Sequence, residues 1–191
     1  MSFKSLYESD GMLFEYTHKE LSRMSDDGRK RRAVGMPAFY KGLTQTKDKT
    51  HIKTIWNVES ATKPDKIYKQ IVEVIPKESN VFEISKSKWD LKHFTDVIKN
   101  SDVKVYCSCP DFLWGGQKYN LGPNGSYDES LAPGNIGDFF SGDKAIVTKA
   151  PDVRDPEREH VLCKHLIAVS KVFNANTSSI MADAKKHKIV K

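Results

Sequence analysis

Val105-Tyr-Cys-Ser-Cys-Pro110 and Leu162-Cys-Lys-His-Leu166 contain all three cysteines of the chain. Cys107 and Cys109 form a C-x-C pair; after 53 intervening residues, Cys163 and His165 form a C-x-H pair. Three thiols and one imidazole are the donor set of a closed, tetrahedral structural zinc site. On a strand, residues i and i+2 share a face, so Cys107 and Cys109 are expected to present both sulfurs to one ion. A C-x-H pair at the mouth of a helix would supply a sulfur and a ring nitrogen from the opposite side. Two blander readings compete. Three cysteines can simply be small buried hydrophobes beside a surface histidine. A Cys107–Cys109 disulfide would need a strained small ring, and Cys109–Cys163 pairing needs an oxidising compartment. Zinc accounts for every cysteine at once, so one structural Zn²⁺ is the expected cofactor.

At these residues the chain resembles the SWIM-type zinc finger, whose pattern is C-x-C, a variable spacer, then C-x-H. The flanks agree: Lys104-Val-Tyr-Cys-Ser-Cys-Pro-Asp-Phe112 looks like the family's strand entering the first pair, and Val161-Leu-Cys-Lys-His-Leu-Ile-Ala-Val169 like its closing helix. The resemblance covers residues 81–174, and the spacer here is longer than in most members. The spellings Cys-Ser-Cys-Pro-Asp-Phe and Cys-Lys-His-Leu across a long spacer also resemble proteins of large tailed bacteriophages. That resemblance implies a virion component made in the host cytoplasm.

The outer bounds are simple. At 191 residues with 38% hydrophobic residues and a mean hydropathy of −0.56, the chain suits one modest core with appendages. No apolar run reaches membrane-spanning length, and Met1-Ser-Phe-Lys-Ser-Leu-Tyr-Glu-Ser-Asp10 lacks the apolar core of a signal peptide. A reducing cytoplasm and no membrane partner are expected. The formal charge is +6; three thiolates and one divalent cation lower it by one, leaving the chain basic.

Working outward from the ligands, the sequence predicts a small α+β fold. We divide it into an N-terminal arm or helical segment over 1–50, a zinc-stabilised domain over 51–174 carrying an insertion at 110–160, and a basic C-terminal tail over 175–191. Tyr16 to Met24 predicts a short helix with Thr17 as N-cap. Gly28 is expected to break Asp26-Asp-Gly-Arg-Lys-Arg-Arg32, leaving Arg29, Lys30, Arg31 and Arg32 as the densest positive run and candidate phosphate or partner contacts. Phe39 and Tyr40 are read as core anchors. His51 to Val58 and Lys66 to Ile75 predict antiparallel strands joined by a turn-rich connector, and Val81 to Ile84 a further strand. Ser87-Lys-Trp-Asp90 has the form of a capping box, followed by Leu91, Phe94, Val97 and Ile98 at helical spacing. Val103 to Cys107 is the strand that delivers the first ligands. Leu162, Leu166, Val169 and Phe173 mark one face of a helix over about 162–174, Asn174 to Ser179 break it, and a last short helix is expected from Ile180.

The insertion is different in kind. Residues 110–160 hold seven of the eleven glycines and five of the eight prolines, with aromatics on neither structural period. So long a connection is usually functional or disordered, and its aromatics argue for a folded Ω-like loop. Trp114, Tyr119, Phe139 and Phe140 are the candidate interface aromatics.

Catalysis has little support in the residues. Four protein ligands leave zinc no open position. His160 lies close enough to Cys163 to compete with His165, but C-x-H spacing and the family resemblance favour His165, with His160 supporting the site or lying on the surface. No phosphate loop, H-E-x-x-H or G-x-S-x-G occurs. The expected function is therefore a non-enzymatic interaction protein whose partners are other proteins of a larger assembly, with no small-molecule substrate. Its alternative is a nucleic-acid-binding accessory protein using Arg29 to Arg32 and the lysine-rich C-terminus, although no aromatic stripe accompanies those cations.

Overall fold

A computed structural model describes residues 16–46, 50–63, 65–77, 89–114 and 161–190. Four antiparallel strands pair in sequence order: β1 (Ala38–Gln45), β2 (Ile52–Glu59), β3 (Ile67–Ile75) and β4 (Asp102–Cys107). Around them lie α1 (His18–Met24), α2 (Asp27–Arg32), α3 (Leu91–Asn100), α4 (Pro110–Trp114), α5 (Lys164–Phe173), a 3₁₀ turn (Asn174–Asn176) and α6 (Thr177–Lys186). The expected α+β class, a small antiparallel sheet with a few helices, is what is found.

Alternation along the strands decides which side is covered. Ile52, Thr54, Trp56 and Val58 on β2 lie opposite Val74, Val72, Gln70 and Tyr68 on β3, and Val103, Val105 and Cys107 continue the same face on β4. All eleven are buried. Helix α5 packs across this face, touching all four strands, with α1 and α2 against its flank and α6 against α3 and β1. Trp56 anchors the layer, with ring centroids 5.3 Å from Tyr40 and 5.4 Å from Phe173. Its indole N–H donates to the Thr54 hydroxyl at 2.9 Å, and that hydroxyl donates to the Val72 carbonyl at 3.0 Å. Every polar atom brought in by that tryptophan is thereby paired.

Several local expectations change in three dimensions. Thr17 caps α1 as expected, and it does so through a full capping box with Glu20. The box read at Ser87 is replaced by a simpler cap: Asp90 accepts from the His93 N–H at 2.7 Å, and Ser87 lies outside the described residues. Gly28 does not break the chain. It sits within α2, because Asp26 caps that helix by accepting from the Arg29 N–H and so fixes its start before the glycine. Phe39 is not a core anchor; it is 46% exposed. Adjacent strand residues face opposite sides, and Tyr40 takes the core side.

Residues 38–45 form a strand paired to β2, so the sheet extends across the 50/51 boundary drawn from sequence. The strand expected at 81–84 lies outside the described residues. Helix α5 begins two residues later than expected, since Cys163 is its N-cap, and Leu162, Leu166, Val169 and Phe173 are all buried. The break after it is short. The last short helix expected from Ile180 is present as α6 and starts three residues earlier, at Thr177, and within the stretch read as a basic tail Ile189 and Val190 are buried in the core. Ile180, Met181 and Ala184 supply the apolar stripe that holds α6 down. No helix among the described residues is long and apolar enough to cross a membrane.

Candidate metal centre

β4 runs down the core face and ends at Cys107. Its successor Ser108 stays tied to β3, donating its N–H to the Lys69 carbonyl at 3.0 Å and accepting from the Lys69 N–H through its hydroxyl at 3.0 Å. The chain then turns into α4, and Cys109 sits in that turn. The second thiol is thus delivered by the entry to a helix, not by strand alternation as the spacing suggested. Phe112, fully buried, pins the turn: its N–H lies 3.1 Å from the Cys109 carbonyl and 3.3 Å from Cys109 Sγ, and its ring stands edge-on to Tyr106. Cys163 is the N-cap of α5, and His165 stands in its first turn.

The four side chains converge. Cys107, Cys109, Cys163 and His165 are all buried, and one donor atom from each lies within 4.8 Å of the others. Cys107 Sγ is 4.0 Å from His165 Nδ1. For Zn–S bonds of ~2.3 Å a tetrahedron has edges of about 3.8 Å, so this spacing suits a four-coordinate ion. Electrostatics agrees. Burial pushes the Cys107 and Cys109 thiols well up. Burial also acts to raise Cys163, but hydrogen bonds with Cys107, Cys109 and His165 overcome it and hold that thiol well down. A dry pocket with three crowded sulfurs tolerates little anionic charge unless a cation is present. The donor set fits a single zinc ion. When bound, it would contribute folding free energy and hold β4, α4 and α5 together.

Supporting contacts lie outside the four ligands. The Tyr68 and His165 rings lie 4.6 Å apart, tilted by 47°, and Lys66 Nζ lies over the Tyr68 ring at 5.2 Å. The Gln70 amide reaches Cys107 Sγ at 3.5 Å. Asp111, two residues past Cys109, receives both Arg29 Nε at 3.3 Å and Arg29 Nη2 at 3.0 Å. The sequence pointed to none of these, because each is brought in by strand pairing or helix docking over long separations. A C-P-D spelling beside a ligand was the one visible hint for Asp111.

The four-residue positive run does not act as a unit. Arg29 is buried, with a further ion pair to Asp26 at 2.7 Å. Lys30 bonds Asp27 at 3.2 Å and the Arg23 carbonyl at 2.9 Å. Arg31 and Arg32 are exposed. Tyr119, Phe139, Phe140 and His160 lie outside the described residues, as does the side chain of Trp114. A separate cleft of about 410 Å³, lined in part by Lys19, Glu20, Arg23, Lys99 and Ser170, is bordered by none of the zinc ligands.

Comparison with known proteins agrees with this geometry. The family model of the SWIM zinc finger matches residues 93–119 and 157–173, the two blocks that carry the four ligands. No curated protein and no solved structure matches the chain. This part of the protein is similar to a SWIM zinc finger, and its ligand cluster is that of a zinc-binding domain.

Proposed function

We propose that the protein is a non-enzymatic interaction module in which zinc staples a small α+β domain and fixes both ends of a long aromatic insertion for presentation to protein partners. The observation that supports it is the closed donor set. Four buried protein ligands use every position of a tetrahedral ion, so the metal serves the fold and leaves no site for water or substrate. Aromatic side chains are the usual anchors of protein interfaces, and Trp114, Tyr119, Phe139 and Phe140 concentrate them in the segment between the ligand pairs. The assembly we propose is a tailed-phage particle, built in the host cytoplasm; its support is the resemblance of the two ligand spellings to such proteins. A second reading, an accessory protein that binds nucleic acid, draws on the net charge of +6 and the exposed Arg31 and Arg32. The burial of Arg29 weakens it.

Replacing residues 115–142 with a short Gly-Ser linker tests the proposal. The shortened protein should retain one zinc and a cooperative unfolding transition, yet fail to co-purify with the proteins that accompany the intact chain. Normal co-purification would place the partner surface elsewhere. Nucleic acid recovered with the intact chain, and lost in an Arg31→Ala/Arg32→Ala double variant, would favour the second reading.

A further inference from the structure

The three zinc thiols do not share one environment. Cys109 Sγ receives a backbone N–H, from Phe112 at 3.3 Å. Cys107 Sγ receives a side-chain N–H, from Gln70 at 3.5 Å. Among the described residues, no amide N–H reaches Cys163 Sγ.

Gln70 stands in the middle of β3, directly across from Cys107 on β4 and from Trp56 on β2, and it is fully buried. Strand interiors on a covered face favour β-branched or aromatic residues, and the neighbouring positions on this face are Tyr68 and Val72. An amide there carries a cost that is visible: Gln70 Oε1 is buried and has no hydrogen-bond partner among the described residues. Its Nε2 does have partners, the Tyr68 carbonyl at 2.8 Å and Cys107 Sγ at 3.5 Å. The amide orientation follows from chemistry, because the reversed one would aim Oε1 at a carbonyl oxygen and a sulfur. Each contact also braces the site. One N–H ties Gln70 to the backbone of Tyr68, whose ring packs against His165; the other reaches Cys107. A buried polar side chain kept at local cost and aimed at a ligand atom is the signature of a functional constraint.

We propose that Gln70 is a positioning residue of the zinc centre: its amide N–H holds the Cys107 sulfur, raises metal affinity, and withdraws electron density so that this thiolate is less nucleophilic than it would otherwise be. Hydrogen bonds to ionised acceptors are the stronger kind, and partners just outside a metal's ligands commonly shift its affinity by about 10–100-fold. The inference rests on zinc at the four ligands and is independent of any protein or nucleic-acid partner.

The test uses the full chain. Gln70→Met keeps the length and removes the N–H. Competition against a chromophoric chelator should show zinc bound about 10–100-fold more weakly. In cobalt-substituted protein the sulfur-to-metal charge-transfer band should move to lower energy. Zinc-loaded protein treated with iodoacetamide and mapped by peptide mass should show a larger share of alkylation at Cys107 relative to Cys109. Val72→Ala, an apolar truncation in the same strand, controls for loss of stability alone and should leave the band and the alkylation ratio where they are. An unchanged band and affinity in Gln70→Met, or equal changes in Val72→Ala, would overturn the proposal. Should Gln70→Met fail to fold, the wild-type protein loaded with ¹¹³Cd answers directly. A scalar coupling between the metal and the Gln70 side-chain N–H supports the bond, and its absence, with the Phe112 N–H coupling present, overturns it.

Discussion

The two pairs of zinc ligands stand on different kinds of backbone. Cys107 and Cys109 lie where a strand ends and a one-turn helix begins, and each sulfur is held by an N–H from a neighbour, Gln70 or Phe112. Cys163 and His165 lie at the start of a ten-residue helix. There the backbone geometry places both side chains, and the positive end of the helix dipole favours the anionic sulfur. The strand pair therefore depends on contacts from elsewhere in the fold, while the helix pair is positioned by its own element. A short motif can encode the second kind of placement by itself. It can encode the first only if the rest of the sheet is present.

The largest expected effect ignores this difference. Cys109→Ser and Cys163→Ser should each release the metal, because binding of roughly 10–16 kcal/mol in small zinc domains is folding free energy. Elemental analysis and thermal unfolding would read it, and a chelator should reproduce it in the unmodified chain. A serine variant that keeps one zinc and its melting temperature would remove the metal from the account of the fold.

The next change separates the pairs. Phe112 is fully buried and packs under the turn that carries Cys109, so Phe112→Ala should cost about 3–5 kcal/mol by cavity formation. Denaturant unfolding of the metal-loaded protein measures it. The same protein should also hold zinc more weakly, since the strand pair loses its brace. A large loss of stability with metal affinity untouched would show that the strand pair needs no such support.

The smallest effect concerns the tie between that pair and the N-terminal helices. Arg29 of α2 joins Asp26, the cap of that helix, to Asp111 on α4, with the two carboxylate side chains 22% and 39% exposed. Because those carboxylates can rehydrate, Arg29→Met should cost about 1–3 kcal/mol, less than a fully buried pair. Arg31→Ala and Arg32→Ala, both on the exposed side, should stay within about 0.5 kcal/mol. Equal costs at all three positions would contradict the separate role given to Arg29.

Legibility in the sequence follows the same division. Features written within a few residues were readable: the C-x-H at a helix mouth, Thr17 as a cap, the strands read at 51–58 and 66–75 and found within a residue of those bounds, and the apolar stripe of α5. Each depends on local periodicity or on a backbone group three or four residues away. The identity of the four ligands was readable too, because with only three cysteines the pattern leaves no competing choice among thiols.

What tertiary structure alone decided is everything that depends on which distant surface an element meets. Arg29 and Arg31 are alike by composition, and only docking of α2 beside Asp111 buries one and exposes the other. Phe39 and Tyr40 are both aromatic, and only the register of β1 on β2 sends Tyr40 inward. A short C-terminal helix ending in lysines was legible, yet only packing shows that Ile180, Met181 and Ala184 before those lysines, and Ile189 and Val190 after Lys188, reach the core. Gln70 looked like any polar residue in a strand until β4 paired beside it and placed Cys107 across from its amide. Ligand chemistry is a property of residue types and spacing, which a chain states directly. The partners of those ligands are set by pairing and packing across long stretches of sequence, and these exist only once the chain has folded.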